Sequence, residues 1–102
     1  MNIQNMMKQA QQMQAKMASL QNELAEREVE ASAGGGAVKV KVNGKQELLS
    51  IKIAAEAVDP NDVETLETLV QTAVNQAMKQ SQEMVTTAMS KITGGLNLPG
   101  MF

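Results

Sequence analysis

The sequence predicts an α+β fold with the element order α-β-β-β-α, in which two long helices flank a small antiparallel three-stranded sheet. Apolar residues between Ile3 and Leu24 recur at alternating steps of three and four, which is typical of a helix with one narrow apolar face. From Val29 to Ile53 the period changes to two, which indicates half-buried strands. Both helices are longer than such a sheet can cover, so we expect a dimer whose helices project as arms.

The first helix is predicted from about Asn2 to about Arg27. Its apolar stripe, called the seam below, occupies the a and d positions of a heptad repeat. Methionine supplies much of this stripe, and it is a flexible residue that suits adaptable contacts. A narrow stripe needs a partner, which is either the second helix or a second copy, so we interpret it as a packing and dimer seam. The seam consists of Ile3, Met6, Ala10, Met13, Met17, Leu20 and Leu24.

Three short strands follow, separated by two turn signals, Gly34-Gly35-Gly36 and Asn43-Gly44. A two-residue turn at the second signal would set charged side chains against valines, so a four-residue loop over Asn43–Gln46 is predicted instead. A one-residue slip would send every side chain to the opposite face of the sheet. The predicted cross-strand pairs are Val40–Leu49, Val38–Ile51, Ala31–Val40 and Glu30–Lys41.

The second helix is predicted to begin at "VDPND", with Asp59 as its N-cap and Pro60 as its first residue. Gly94-Gly95 is predicted to end it. Residues 1–93 should therefore form a single domain, and residues 94–102 a flexible C-terminal tail. The predicted apolar face of this helix consists of Val63, Leu66, Leu69, Val70, Ala73, Val74, Ala77 and Met78.

The formal net charge of −2 conceals an uneven distribution of charge. Residues 1–22 carry two lysines and no acid, residues 37–55 carry four lysines against one glutamate, and residues 56–67 carry five acids and no base. The basic regions are candidate phosphate contacts, although each lysine can also be an ordinary solvated side chain that blunts a sheet edge. The candidate DNA-binding residues are Lys8, Lys16 and Lys91 on the helices and Lys39, Lys41 and Lys52 on the outer face of the sheet.

Composition argues against several classes of function. The chain contains no histidine and no cysteine, which removes the commonest general base and the commonest metal ligands. Phe102 is its one aromatic residue, so the aromatic platforms that stack unpaired bases cannot be built. The pair Asp59 and Asp62 is explained by helix capping, and the three glycines lack the Lys-Ser/Thr of a phosphate loop. We expect no catalytic residues, metal, cofactor, small-molecule substrate or membrane span, and a cytoplasmic location.

Four segments occur in order along almost the whole chain: "NMMKQAQQMQAKM", "GGGAVKVKVNG", "DPNDVETLETLVQTAVNQA" and "ITGGLNLPGMF". With these segments the sequence resembles the bacterial YbaB/EbfC family of small nucleoid-associated proteins. The resemblance implies a homodimer that joins its sheets and holds its long helices out like the arms of tweezers. It also implies binding to double-stranded DNA, with roles in nucleoid organisation and gene regulation. It transfers no contact residues, so the site residues above rest on charge placement.

These observations predict a dimeric protein that binds double-stranded DNA mainly through backbone phosphates. Sequence specificity should be weak, because the commonest guanine contact is made by arginine and the single arginine lies among glutamates. The alternative is a protein–protein adaptor whose methionine-rich arms grip a partner helix or an unfolded segment. Salt dependence separates the two hypotheses, since only phosphate binding weakens steeply with salt.

Overall fold

A computed structural model of the chain describes the backbone of residues 2–93 and the side chains of residues 2–91. The predicted order α-β-β-β-α is confirmed, while the predicted end of the second helix and the predicted tail lie outside the described residues. The elements are α1 (Ile3–Glu26), β1 (Glu28–Ala33), β2 (Val38–Asn43), β3 (Leu48–Ile53), a 3-10 turn (Ala55–Ala57) and α2 (Val63–Thr93).

The core lies between α2 and the first two strands of the sheet. The strands are antiparallel in the order β1-β2-β3, and α2 packs across β1 and β2. Strand β2 is central and alternates valine with lysine, so one of its faces is apolar. That face supplies three fully buried valines, Val38, Val40 and Val42, which pack with Ala73 and Ala77 of α2.

The register between β1 and β2 is as predicted, with Ala31 opposite Val40. The predicted register between β2 and β3 is wrong by two residues, because Val40 lies opposite Ile51 instead of Leu49. One residue of the difference comes from the turn. The N–H of Asn43 donates to the carbonyl of Glu47, so Asn43 faces Glu47, whereas the predicted loop would have set Val42 opposite Glu47. The second comes from a bulge that leaves Leu49 without a cross-strand partner. A shift of two residues preserves the faces, so the predicted apolar side of β3 is retained.

Asn43 and Gly44 together fasten the β2–β3 turn to both helices. Its Oδ1 accepts hydrogen bonds from the backbone N–H groups two and four residues later, both at 3.0 Å, and its Nδ2 donates to Glu47 Oε1 at 3.0 Å. Its carbonyl accepts from the buried Ser81 hydroxyl of α2 at 2.7 Å. The next residue, Gly44, donates its N–H to the Arg27 carbonyl at the end of α1, at 3.1 Å. We call this group of contacts the joint, because both helices meet the sheet there.

The predicted start of α2 is corrected by three residues. Helix α2 begins at Val63, and Asp62 caps it by accepting from the Thr65 backbone N–H at 3.4 Å and from its hydroxyl at 2.6 Å. Asp59, the predicted cap, instead accepts from the Asn61 N–H at 2.9 Å within the preceding turn. Both aspartates therefore bond local backbone groups, which is the stabilising role that short acidic side chains have before a helix.

The molecule is elongated. Its radius of gyration is 19.5 Å and its extents are 72 × 24 × 16 Å, whereas a compact domain of this length has a radius of gyration of about 13 Å. Helices α1 and α2 contact each other, and the surface depressions at their contact are lined by Leu24 with Val85 and by Leu20 with Ala88, an order that indicates an antiparallel arrangement. All residues of α1 up to Lys16 are exposed, so the N-terminal half of this helix projects beyond the contact.

Candidate nucleic-acid interface

Three lysines occupy the outer face of the sheet, and we call them the sheet patch. Lys39 and Lys52 lie directly opposite each other on β2 and β3, and both are exposed. Lys41 is half-buried and lies between Glu30 on β1 and Ser50 on β3. The alternation of β2 explains this face, because each valine that enters the core turns the next residue outward.

No acidic residue lies directly opposite Lys39 or Lys52, and the nearest acid on β1, Glu30, lies diagonally from Lys39. Like charges directly opposite each other on a sheet destabilise it, so this arrangement is unfavourable for the free protein. Lys41 differs, because Glu30 faces it across β1 and β2. Across the described side chains, the one ion pair within 4 Å joins Arg27 to Glu23, which lies outside the sheet patch. The charge of Lys39 and Lys52 is therefore available to an anionic ligand.

The other candidate lysines lie on the arms. Lys8 and Lys16 are exposed on the projecting part of α1, and the structure does not bring them to the sheet patch. Lys91 is exposed near the described end of α2 and lines a groove between the two helices. We call this the arm groove. It has a volume of about 540 Å³ and is lined by Leu20, Arg27, Gln80, Glu83, Met84, Thr87, Ala88 and Lys91.

Arg27 is a cation of the arm groove that the sequence analysis did not select. Its guanidinium lies 3.4 Å from Glu23, and more than half of each side chain is exposed, so this ion pair contributes little stability. The spacing of the seam could have indicated this position, because Arg27 is three residues after Leu24 and occupies the next heptad position on the same face of the helix. Its neighbouring glutamates concealed this, since they suggested that its charge was already neutralised.

The seam becomes steadily more exposed from its base to its tip. Leu24 is 2% exposed, Leu20 and Met17 are half-buried, and Met13 is 38% exposed. Further out, Ala10 is exposed, Met6 is 53% exposed and Ile3 is 72% exposed. The base of the seam is therefore covered, and its outer residues are exposed.

A second uncovered apolar surface lies on β3. Its inner face continues the face of β2, yet α2 lies over β1 and β2 and leaves β3 uncovered. Ile51 and Ile53 are 41% and 42% exposed, although their partners Val40 and Val38 are fully buried. Leu48 and Leu49, at the bulge, are similarly exposed. Apolar edge strands are a ready template for pairing with another chain.

Metal-binding clusters, the glycine turn and membrane-spanning segments can each be assessed in the part of the chain that the structure describes. No group of three or more acidic side chains within them could hold a metal ion. The three glycines after β1 all have positive φ angles, from 65° to 97°, which fits their predicted role in a hairpin turn. Within the described helices, no segment is long and apolar enough to cross a bilayer.

The sequence of this chain is similar to those of known DNA-binding and nucleoid-associated proteins. The profile of the YbaB/EbfC DNA-binding family matches residues 1–96. A protein of Moorella thermoacetica named nucleoid-associated protein is 64% identical over 99 residues, covering 97% of this chain and 95% of that protein. A Clostridium novyi protein with the same description is 59% identical over 102 residues, covering all of this chain and 90% of that protein.

The fold also occurs among solved structures. The crystal structure of the uncharacterized protein HP0035 from Helicobacter pylori superposes with a TM-score of 0.79. It covers 92% of this chain and 99% of that protein at 21% sequence identity, so the similarity concerns the fold alone.

Proposed function

Because this chain belongs to the YbaB/EbfC DNA-binding family, we propose that it is a nucleoid-associated protein that binds double-stranded DNA as a homodimer, mainly through backbone phosphates. It acts in the cytoplasm, at the nucleoid, where it contributes to nucleoid organisation and gene regulation. The names of the relatives from Moorella thermoacetica and Clostridium novyi support this assignment.

The observation that carries the proposal is the pairing of Lys39 with Lys52. Strand register sets two exposed lysines directly opposite each other, and no acidic residue lies directly opposite either of them. Their mutual repulsion is relieved when an anion lies over both, so phosphate binding is more favourable here than at an isolated surface lysine. Phosphate contacts position a protein on the duplex without reading its sequence.

Dimerisation through β3 is supported by the apolar surface of that strand. Leu48, Leu49, Ile51 and Ile53 together expose apolar surface on the order of 300 Å², which is comparable to the largest apolar patch of a typical monomer, and such patches are often functional. A two-fold axis beside β3 would cover this surface in both copies. It would also place the Lys39–Lys52 pairs of the two copies next to each other, which doubles the basic surface presented to one duplex.

The arms provide a second set of contacts. Lys8, Lys16 and Lys91 are exposed, and no acidic residue occurs in α1 before Glu23. In the dimer these lysines occur twice, on helices long enough to reach along the duplex. Base reading should remain weak, because arginine makes the commonest guanine contact and the chain has a single arginine, which lies among glutamates.

The test is a titration of the protein into a fluorescent duplex of about 30 base pairs at several salt concentrations. With about 4–6 phosphates neutralised by the dimer, log K should fall with log salt at a slope of roughly −4 to −5. Lys39→Gln with Lys52→Gln removes four charges from the dimer, so the slope should become less steep by about 3 to 4. Lys79→Gln, an exposed change on α2, is the matched control and should leave the slope almost unchanged.

Combined substitution of Lys8, Lys16 and Lys91 by glutamine measures the share of the arms in the same assay. A larger loss of slope from this variant than from the sheet variant would assign the main contact to the arms. Absence of binding at low salt would refute the DNA proposal and favour the adaptor, in which the exposed methionines grip a protein partner.

A further inference from the structure

The outer part of the seam is an apolar surface that the proposed function does not use. Ile3, Met6, Ala10 and Met13 continue the stripe whose base packs on α2, but they lie beyond that helix and are exposed. We call these four residues the tip. Met7 flanks them and is 59% exposed, which widens the apolar surface.

The pattern of the tip specifies the kind of partner. A stripe restricted to a and d positions is narrower than the face by which a helix packs on a globular core, and it fits another helix of the same spacing. The positions beside the tip are almost all uncharged, with Gln9 and Gln14 among them, and Lys8 lies on the opposite side of the helix. Two such tips can therefore approach each other without like-charge repulsion.

We propose that the tip of α1 binds the tip of α1 in another copy of this chain, in antiparallel orientation. In that orientation a positions face d positions, so Ala10 of one copy lies against Met6 of the other, and Ile3 lies against Met13. The two central layers each join a methionine to the small alanine, which leaves space for it, and the two outer layers join isoleucine to methionine. A parallel pair would set Ala10 against Ala10 and leave a gap in the middle of the contact.

The antiparallel contact also suits the shape of the molecule. The overlap spans residues 3–13, about 16 Å of helix, and the two bodies then lie at opposite ends. Such a short overlap is well below the area of a stable standard interface, so a single contact is weak. Several contacts between molecules held close together on DNA reinforce one another through effective concentration.

Tip pairing goes beyond the proposed function because it joins dimers to each other. The sheet contact and the tip contact use different surfaces of the same chain, so both can form at once. If the protein binds DNA as proposed, paired tips connect two separately bound stretches of duplex. This last step rests on the proposed function, whereas the pairing of tips can be tested without DNA.

The first experiment is site-specific cross-linking, for which a chain without native cysteine is well suited. Ile3→Cys and Met13→Cys are prepared with tags of different mass, in an Ile51→Lys background that blocks the sheet contact. After mild oxidation at high protein concentration, the mixture should give mainly the mixed disulfide, and each variant alone should give much less. Equal yields from the single variants, or no cross-link in the mixture, would overturn the antiparallel pairing.

The second experiment measures capture of a labelled duplex by a bead-bound duplex in the presence of the protein. Ala10→Glu introduces a charge into the tip, and Gln12→Glu introduces the same charge two residues away, outside the seam. We expect Ala10→Glu to reduce capture at least five-fold relative to Gln12→Glu, while both variants bind a single duplex equally. Equal capture by the two variants would refute tip pairing. Loss of single-duplex binding by the unaltered protein would instead refute the proposed function, and cross-linking would then decide on the tips alone.

Discussion

The Asn43 side chain offers the sharpest test of what holds the β2–β3 turn, at which both helices are joined to the sheet, in its shape. It is 8% exposed and makes three hydrogen bonds of 3.0 Å, two accepted from backbone N–H groups and one donated to Glu47. Asn43→Ala removes all three. The freed donors belong to Lys45 and Glu47, which are exposed and can be hydrated, so each lost bond costs about 1 kcal/mol rather than a full burial penalty.

The expected loss is therefore about 3 kcal/mol in the free energy of unfolding, a large fraction of the total stability of a small domain. For a chain of this length, such a loss lowers the midpoint of thermal unfolding by roughly 15 °C. Far-ultraviolet circular dichroism at fixed protein concentration measures the midpoint, and urea titration measures the free energy.

Asn5→Ala is the matched control, because Asn5 is exposed on α1 and alanine has a higher helix propensity than asparagine. It should leave stability unchanged or slightly raised. A loss below about 1 kcal/mol for Asn43→Ala would refute the reasoning, since the joint would then be held by backbone contacts and core packing alone.

Three further predictions concern other parts of the chain. A side-chain carbon at Gly44 would overlap the Leu24 carbonyl, so Gly44→Ala should displace the end of α1 and lower the urea midpoint by more than a typical surface substitution. Ile51→Lys should leave the helical content unchanged but shift the protein to monomer in sedimentation at tens of micromolar, and a stable dimer would contradict pairing through β3. Val40→Ala should cost about 2 kcal/mol in thermal unfolding, because Val40 is fully buried, whereas Val63→Ala at an exposed position should cost almost nothing.

Periodicity predicted the elements of this fold well, because the period of apolar residues depends only on the geometry of one helix or strand. The predicted pairing of Ala31 with Val40 is confirmed, since the tight glycine turn left few alternatives. The predicted pairing of Val40 with Leu49 is wrong. The observed register depends on side-chain hydrogen bonds of Asn43 and on a bulge, and the alternation of apolar residues reveals neither of them. The predicted N-cap of α2 was wrong for a similar reason. Asp59 and Asp62 are both suitable acceptors, and the hydrogen bonds that distinguish them are visible only in the structure.

The candidate site was less predictable than the fold. Alternation placed Lys39 and Lys52 on the outer face, but their direct pairing follows from the actual register, which the sequence analysis had shifted. The contribution of Arg27 to the arm groove depends on the antiparallel packing of two distant segments. Charge placement along the chain gives the sign of a surface, whereas the three-dimensional contacts decide which charges act together.

Helix α1 is buried only near its C-terminal end, so a small change of its tilt there moves its N-terminal end by a large distance. Leu24 is its buried residue within the described structure, and Ile3 lies about 32 Å away along the helix axis. A tilt of about 10° at the base moves the far end by roughly 5 Å, more than the axial step of about 3.4 Å between successive phosphates of one strand. An arm of this kind can adjust to grooves of different width without refolding, so the protein should tolerate duplexes of varied sequence and curvature.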